Sequence, residues 1–534
     1  MPATDDAGAA LARPPRARGM GALGLGLALA LFAAGCAQMP TPPLPPASVA
    51  ATSPCQAWFQ ALDAQVARAG VRDAGTAPVK DHAYLRVDRF TASLVDRLPA
   101  WREPQSPPAA WTLWVARMLE LDRQARQHEL ANLPPATRRA LAIRFDLPDA
   151  AAMAAYTRSC GEQRVQAELA TAQQLQQLRA QLAVPDDYVG AYRLLGLYPL
   201  TRLPFLAGVR QFEAQTRQRF GTGVGVPPGT RQLRLLPPDE PGPQARDLEG
   251  LWRAAADHPL GIPLPTPEQA AQLFARHAPV FDLGIASDDD RPGALFWNTS
   301  ASAESAPAVN TGQPVVYRQL AYTRYGDTSL LQLVYTLWFG ARTASTVPVD
   351  LLAGPIDGLV WRVTLSADGA PWVYDSIHPC GCYHMFFPVP GVTPRTAPPG
   401  QGEWAFSPAD APMPGPGQRI VLRVAAGTHY LEGISTQAAT APGNATDVYQ
   451  WRDYDTLRSL PTPDGDHRSV FGPDGIMPGT DRLESWLFWP MGIARAGAMR
   501  QWGRHATAFV GQRHFDDARL IEERFHPGSL LPGD

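Results

Sequence analysis

The sequence predicts an α+β protein, with a helical N-terminal domain followed by a mixed domain built on an antiparallel sheet. Three observations carry that expectation. Residues 53–225 are dense in Ala, Leu, Gln and Arg, with apolar positions at helical spacing. Residues 266–534 change character, and past about 279 they show short runs rich in Val, Leu, Tyr, Trp and Thr between turn residues. A Pro-rich stretch, 226–265, separates the two regimes and reads as a linker or covering loop.

Each element has a local reason. Ser53-Pro54 supplies an N-cap and a first-turn proline, and Trp58, Phe59, Leu62 and Val66 share one helix face before Gly70. Residues 109–130 place Trp111, Trp114, Val115, Met118, Leu119 and Leu121 beside polar positions, and 150–182 continue as helix with breakers at Cys160-Gly161. Residues 194–220 predict a helical hairpin interrupted at Pro199 and Pro204. In the second domain, 314–324, 330–338, 358–365 and 371–377 read as strands, the last two joined by a short connection around Gly369. Leu359, Trp361, Val363 and Leu365 alternate with Val360, Arg362 and Thr364, which implies an antiparallel meander. Another hairpin is expected over 419–434, and helix returns at 483–489 and 516–525. No internal repeat is present.

Composition narrows the function classes. Charged residues make up 18% of the chain and the formal net charge is -3, so the basic surface that a phosphate backbone demands is missing and nucleic acid is excluded as a partner. The 55 Pro and 46 Gly are spread along the chain, which implies many turns between elements. No HExxH zinc helix, phosphate-binding loop, dinucleotide fingerprint or G-x-S-x-G elbow occurs.

The N-terminus carries the most specific pattern. Arg13, Arg16 and Arg18 precede an apolar run from Met20 to Phe32 that ends in Ala33-Ala34-Gly35 before Cys36. That run has the length of a signal-peptide core and is shorter than the roughly 20 residues of a spanning helix. Residues 1–36 resemble the signal peptide and lipobox of bacterial lipoproteins. The resemblance implies removal of 1–35, diacylglycerol on Cys36, and a bilayer as partner through the acylated N-terminus. Ala37 after the Cys, in place of Asp, implies a periplasm-facing anchor in the outer membrane of a Gram-negative cell. Ala33 stands where the lipobox usually has Leu, so a secreted soluble protein is the alternative. Residues 36–52, with Pro40, Pro42, Pro43, Pro45 and Pro46, form an expected stiff tether.

Export changes the reading of the other sulfurs. Four cysteines remain, and in an oxidising compartment the simplest pairing is Cys55 with Cys160 and Cys380 with Cys382. The second pair belongs to His378-Pro-Cys380-Gly-Cys382-Tyr-His384, two thiols and two imidazoles within seven residues. Such a donor set suits a transition metal, zinc or copper. A straight strand would spread the four over about 20 Å, so Pro379 and Gly381 must bend the chain for any two or three to meet. Asp375, His429, His505 and His514 are candidates for a further ligand. Two other classes stay open: a structural or interaction protein with two disulfides, and a thiol-dependent hydrolase or transferase. The last needs His378 or His384 as base with Asp375 or Asp357 orienting it. Ser287-Asp288-Asp289-Asp290-Arg291 reads as a solvated turn rather than a calcium loop, and the acids beside His505 and His514 read as surface or satisfied core pairs. The aromatics of 486–489, 338–339 and 386–387 read more economically as core than as an exposed patch.

Overall fold

The computed structural model describes residues 53–103, 105–222, 230–238, 248–298, 305–344, 349–438 and 446–528. The leader, Cys36 and the Pro-rich tether lie outside the described residues. Helix α1 (Pro54–Ala69) starts as expected: Ser53 Oγ accepts from the Gln56 N–H at 3.2 Å, Pro54 occupies the first turn, and Gly70 closes the helix at φ 65°. It buries Trp58, Phe59, Leu62 and Val66. A hairpin follows, β1 (Ala77–Val79) and β2 (His82–Val87), turned at Asp81 with φ 63°. The sequence reading missed it for a physical reason: Tyr84, Leu85, Arg86 and Val87 are all buried, so no alternation marks the strand.

Short helix α2 (Arg89–Ser93) leads to α3 (Ala109–Asn132), then α4 (Pro135–Arg144), α5 (Ala150–Glu168) and α6 (Ala172–Ala180). Cys160 on α5 is disulfide-bonded to Cys55 on α1. Beside it, a Cβ on Gly161 would stand 2.7 Å from Leu119 Cδ1, so the apparent helix breaker is a site of close packing against α3. Helices α7 (Gly190–Leu195) and α8 (Tyr198–Thr222) occupy the expected hairpin, but the break falls at Gly196-Leu197 and not at the prolines. Pro199 sits in the first turn of α8, where its missing N–H costs nothing, and Pro204 is carried inside the helix.

The stretch read as a linker contains β3 (Arg231–Leu236) and α9 (Leu248–Asp257). After α10 (Pro267–His277) come β4 (Val280–Ile285) and a small hairpin, β5 (Ala294–Asn298) with β6 (Ala306–Asn310). The main sheet is the expected meander: β7 (Val315–Tyr325), β8 (Thr328–Arg342), β9 (Gly354–Leu365), β10 (Pro371–Ile377) and β11 (Met385–Pro388), antiparallel in sequence order. After the two-residue β12 (Thr393–Pro394), β13 (Gln418–Val424) and β14 (Leu431–Ala438) form the second expected hairpin. They join β4 and β3 in a five-stranded sheet ordered β14-β13-β4-β3-β15, with β15 (Thr446–Val448) at its edge. Strand β16 (Gln450–Asp453) runs parallel to β7.

Alternation along β9 does not separate core from solvent. Residues 356–365 are all buried. Leu359, Trp361, Val363 and Leu365 join the main apolar cluster, while Arg362 and Thr364 lie under a polar layer covered by the C-terminal segment. Arg362 Nη1 donates to the Phe515 carbonyl at 2.5 Å. The expected helices of the tail shrink to α11 (Ser485–Phe488) and Leu520–Arg524, the rest being turns pinned to the sheet. No described helix is long and apolar enough to cross a membrane.

Candidate functional site

The His/Cys segment is a tight turn at the end of β10. Gly381 N–H donates to the His378 carbonyl at 2.8 Å, and His378 N–H to the Cys382 carbonyl at 3.0 Å. Gly381 has φ 93°, and a Cβ there would fall 2.3 Å from the Ala506 carbonyl oxygen, so glycine is required. The expected bend at Pro379 and Gly381 is therefore present. It sets the two thiols near each other, both free rather than joined as a disulfide. The Cys380 hydrogen bond and burial push the Cys382 thiol well above its ordinary pKa, which keeps it protonated and weakly nucleophilic.

The two histidines diverge. His378 Nδ1 lies 3.2 Å from Asp357 Oδ1, and His384 Nε2 lies 3.0 Å from Asp375 Oδ2. Both carboxylates singled out from the sequence thus pair with the histidines, each with a different one. Asp375 also accepts from Arg362 Nε at 2.9 Å, and the Phe515 ring lies 3.7 Å beneath that guanidinium. Burial drives His384 down to about 3, so it stays neutral. Among the described residues no three His, Cys, Asp or Glu side chains converge as a metal-holding group. His505 and His514 are buried and neutral, lowered by burial to about 3 and about 2.

Behind His378 runs a chain of buried charges. Asp357 Oδ2 is 2.9 Å from His429 Nδ1, and His429 Nε2 is 3.2 Å from Asp290 Oδ1. The Phe339 ring stacks on His429 with centroids 4.0 Å apart. Burial opposes charge on His429, but Asp290 and Asp357 outweigh it and raise its pKa. Burial alone would raise Asp357; His378 and His429 hold it well below the usual carboxylate range. Asp290, kept at about 2, accepts from the backbone N–H groups of Ala286, Ser287 and Gly427 as well. The run of three acids is thus no solvated turn at its last member, and no local pattern revealed that role.

The outer side of the turn faces a cavity of about 710 Å³ beneath α8. Its walls are mostly apolar, with Phe205, Phe212, Phe406, Phe488 and Phe509 prominent, and its polar groups include Tyr383, Tyr430, His384, the carboxyls of Glu213, Glu403 and Glu484, and Arg513. Phe212 reaches Tyr383 and Tyr430 with ring centroids 5.1 and 5.6 Å away. Arg342 donates to Tyr430 Oη at 2.9 Å and lies over its ring. Glu484 is buried, and the loss of water raises its carboxyl to about 7 against the pull of Arg342 and Arg482. Nothing in the sequence marked Arg342, Tyr430 or Glu484. A second cleft of equal volume lies between α3 and the main sheet, but its walls are lined with charged side chains such as Arg117, paired with Asp88, and it does not include the turn.

The aromatic segments part company. Trp338, Phe339, Phe386 and Phe387 are core, as expected, whereas Trp486 and Leu487 of α11 project into solvent beside the cavity. No family model, curated protein or solved structure matches this chain.

Proposed function

We propose that the chain is a cell-envelope lipoprotein, acylated at Cys36, that binds a small and mostly apolar molecule in the cavity beside the 378–384 turn. One observation carries the binding reading: a cleft of about 710 Å³ has aromatic walls and a minority of polar groups, among them Tyr383, Tyr430, Glu484 and Arg513. Ligand sites have that composition, an apolar body for affinity and sparse polar groups for orientation. A carboxyl with a pKa of about 7 at the cavity wall accepts or donates a proton near neutrality. The lipidation reading is supported by the leader and Cys36 alone.

The test is calorimetric titration with oleate as the apolar probe. Gly208 lines the cavity and has open space at its Cβ, so Gly208→Trp should fill the cleft and weaken oleate binding at least tenfold without unfolding the chain. Equal affinities in the two proteins would reject the cavity as the site. Intact-mass measurement of envelope-purified protein tests the anchor independently, through the acyl mass on Cys36.

A second reading keeps zinc or copper at Cys380 and Cys382, with His378 or His384 contributing. It is favoured by the adjacent thiols and by two buried nitrogens, His378 Nε2 and His384 Nδ1, that have no hydrogen-bond partner among the described residues. Metal content that survives replacement of both cysteines by Ser would exclude it.

A further inference from the structure

The cavity opens beside an apolar surface that the core does not need. On α7 and the first turns of α8, Leu194 is 77% exposed, Leu195 73% and Leu200 66%; on α11, Trp486 is 82% exposed. These segments form one surface. Val189 N–H donates to the Gly492 carbonyl at 2.7 Å and Arg193 Nε to the Met491 carbonyl at 2.8 Å. The Phe205 and Phe488 rings meet at 4.8 Å, and a Cβ on Gly196 would fall 2.5 Å from Pro490 Cβ, so only glycine lets the two pieces close. Leu487, Phe488 and Pro490 belong both to this surface and to the cavity wall.

We infer that this face docks on the surface of an anionic lipid bilayer. Its charge pattern supports that occupant: between Asp187 and Glu213 the chain has no Asp or Glu, and while Arg193 is turned inward onto the Met491 and Gly511 carbonyls, the half-buried Arg202 and the exposed Arg210 leave the stretch basic. Basic residues around protruding Leu and Trp are the composition of interfacial segments, whose apolar side chains enter the headgroup boundary while cations meet lipid phosphates. A second copy of the chain fits less well, because a two-fold contact would set the same arginines against each other. The inference rests in part on the anchor reading. Sixteen residues separate Cys36 from Ser53, so an acylated Cys36 would keep the body within range of the bilayer and make docking effectively intramolecular. The cavity mouth then opens at the lipid surface, so an amphiphile reaches it without crossing water.

Hydrogen exchange read by mass spectrometry tests this on the full chain purified from the envelope. Vesicles of equal phosphatidylglycerol and phosphatidylcholine should slow amide exchange at least tenfold within 190–203 and 484–491. Vesicles of phosphatidylcholine alone should do so less. The double variant Leu194→Asp/Trp486→Ser alters only exposed side chains and should lose that protection while exchange in the main sheet stays as it was. Protection in a preparation whose mass shows no acyl group would support docking while the anchor reading fails. Acylated protein that floats with vesicles yet exchanges freely in both segments would overturn it, as would protection that rises with protein concentration without vesicles.

Discussion

Glu484 sets a sign that can be measured. Its folded pKa of about 7 exceeds the ordinary 4.5, so as pH rises through that interval the unfolded chain gives up its proton first and stability falls, levelling off above 7. Glu484→Gln removes the penalty and should be more stable than the parent at pH 8 by on the order of 2 to 3 kcal/mol, with the gap closing toward pH 4.5. Urea midpoints at several pH values check it, and parallel profiles would contradict the assignment. His429 acts in the opposite sense. Its raised pKa means that pairing with Asp290 and Asp357 stabilises fully below 6.5 and is lost as pH climbs through the raised value. Asp290 and Asp357, both depressed, keep their contribution above about 3.8 and lose it in acid. Asp357→Asn strands two buried imidazoles and should cost roughly 3 to 5 kcal/mol, with a lowered thermal midpoint as the readout. Residue-scale legibility was uneven for a plain reason. Asp357 lies 21 residues before His378 and Asp375 nine before His384, on adjoining strands, whereas Asp290, Arg342 and Glu484 arrive from separate parts of the chain.

At the scale of elements, the 378–384 turn depends on a single backbone approach. Gly381→Ala would drive a methyl into the Ala506 carbonyl at an unfavourable φ. The expected loss is about 3 kcal/mol, together with separation of the two thiols, read as faster alkylation of Cys382. The disulfide between α1 and α5 closes a span of 105 residues. Replacing both Cys55 and Cys160 by Ala should lower stability by up to about 4 to 5 kcal/mol in the chain-entropy model, measured by chemical denaturation against the oxidised parent. The elements that the sequence revealed, α1, α3, the meander and the β13–β14 hairpin, have caps, breakers or β-branched runs that act locally. Those it hid, β1, β2 and β3, are short, and β2 is covered on both faces, so no period of two survives. The exposed Trp486 of α11 broke the economical expectation because composition alone does not say which side of a short helix meets the core.

Over the whole molecule, ion pairs stitch the helical part to the sheets. Arg86 is buried with Asp122 and Glu129, and its Nη1 donates to the Asp73 carbonyl; Asp73 in turn accepts from Arg458 and from Gln501. Arg324 on β7 reaches Asp96 at 2.6 Å. Residues 53–534 therefore cluster as one unit, and calorimetry should show one unfolding transition, which Asp73→Ala shifts downward as a whole. Two separated transitions would contradict that coupling. The polar layer over the main sheet adds a constraint in time. Arg324 N–H and Thr323 Oγ1 donate to the Ala518 carbonyl, Trp372 Nε1 to that of Pro527, and Arg362 to that of Phe515. A growing chain has every strand of the meander long before it has these acceptors. Until residues 515–527 emerge, the Arg362 guanidinium, the Thr323 hydroxyl and the Trp372 ring N–H stay wet, and the sheet cannot seal. Ribosomes stalled just short of Phe515 should hold a nascent chain that proteases still cut within the meander, and emergence of residues 515–527 is the event that locks it.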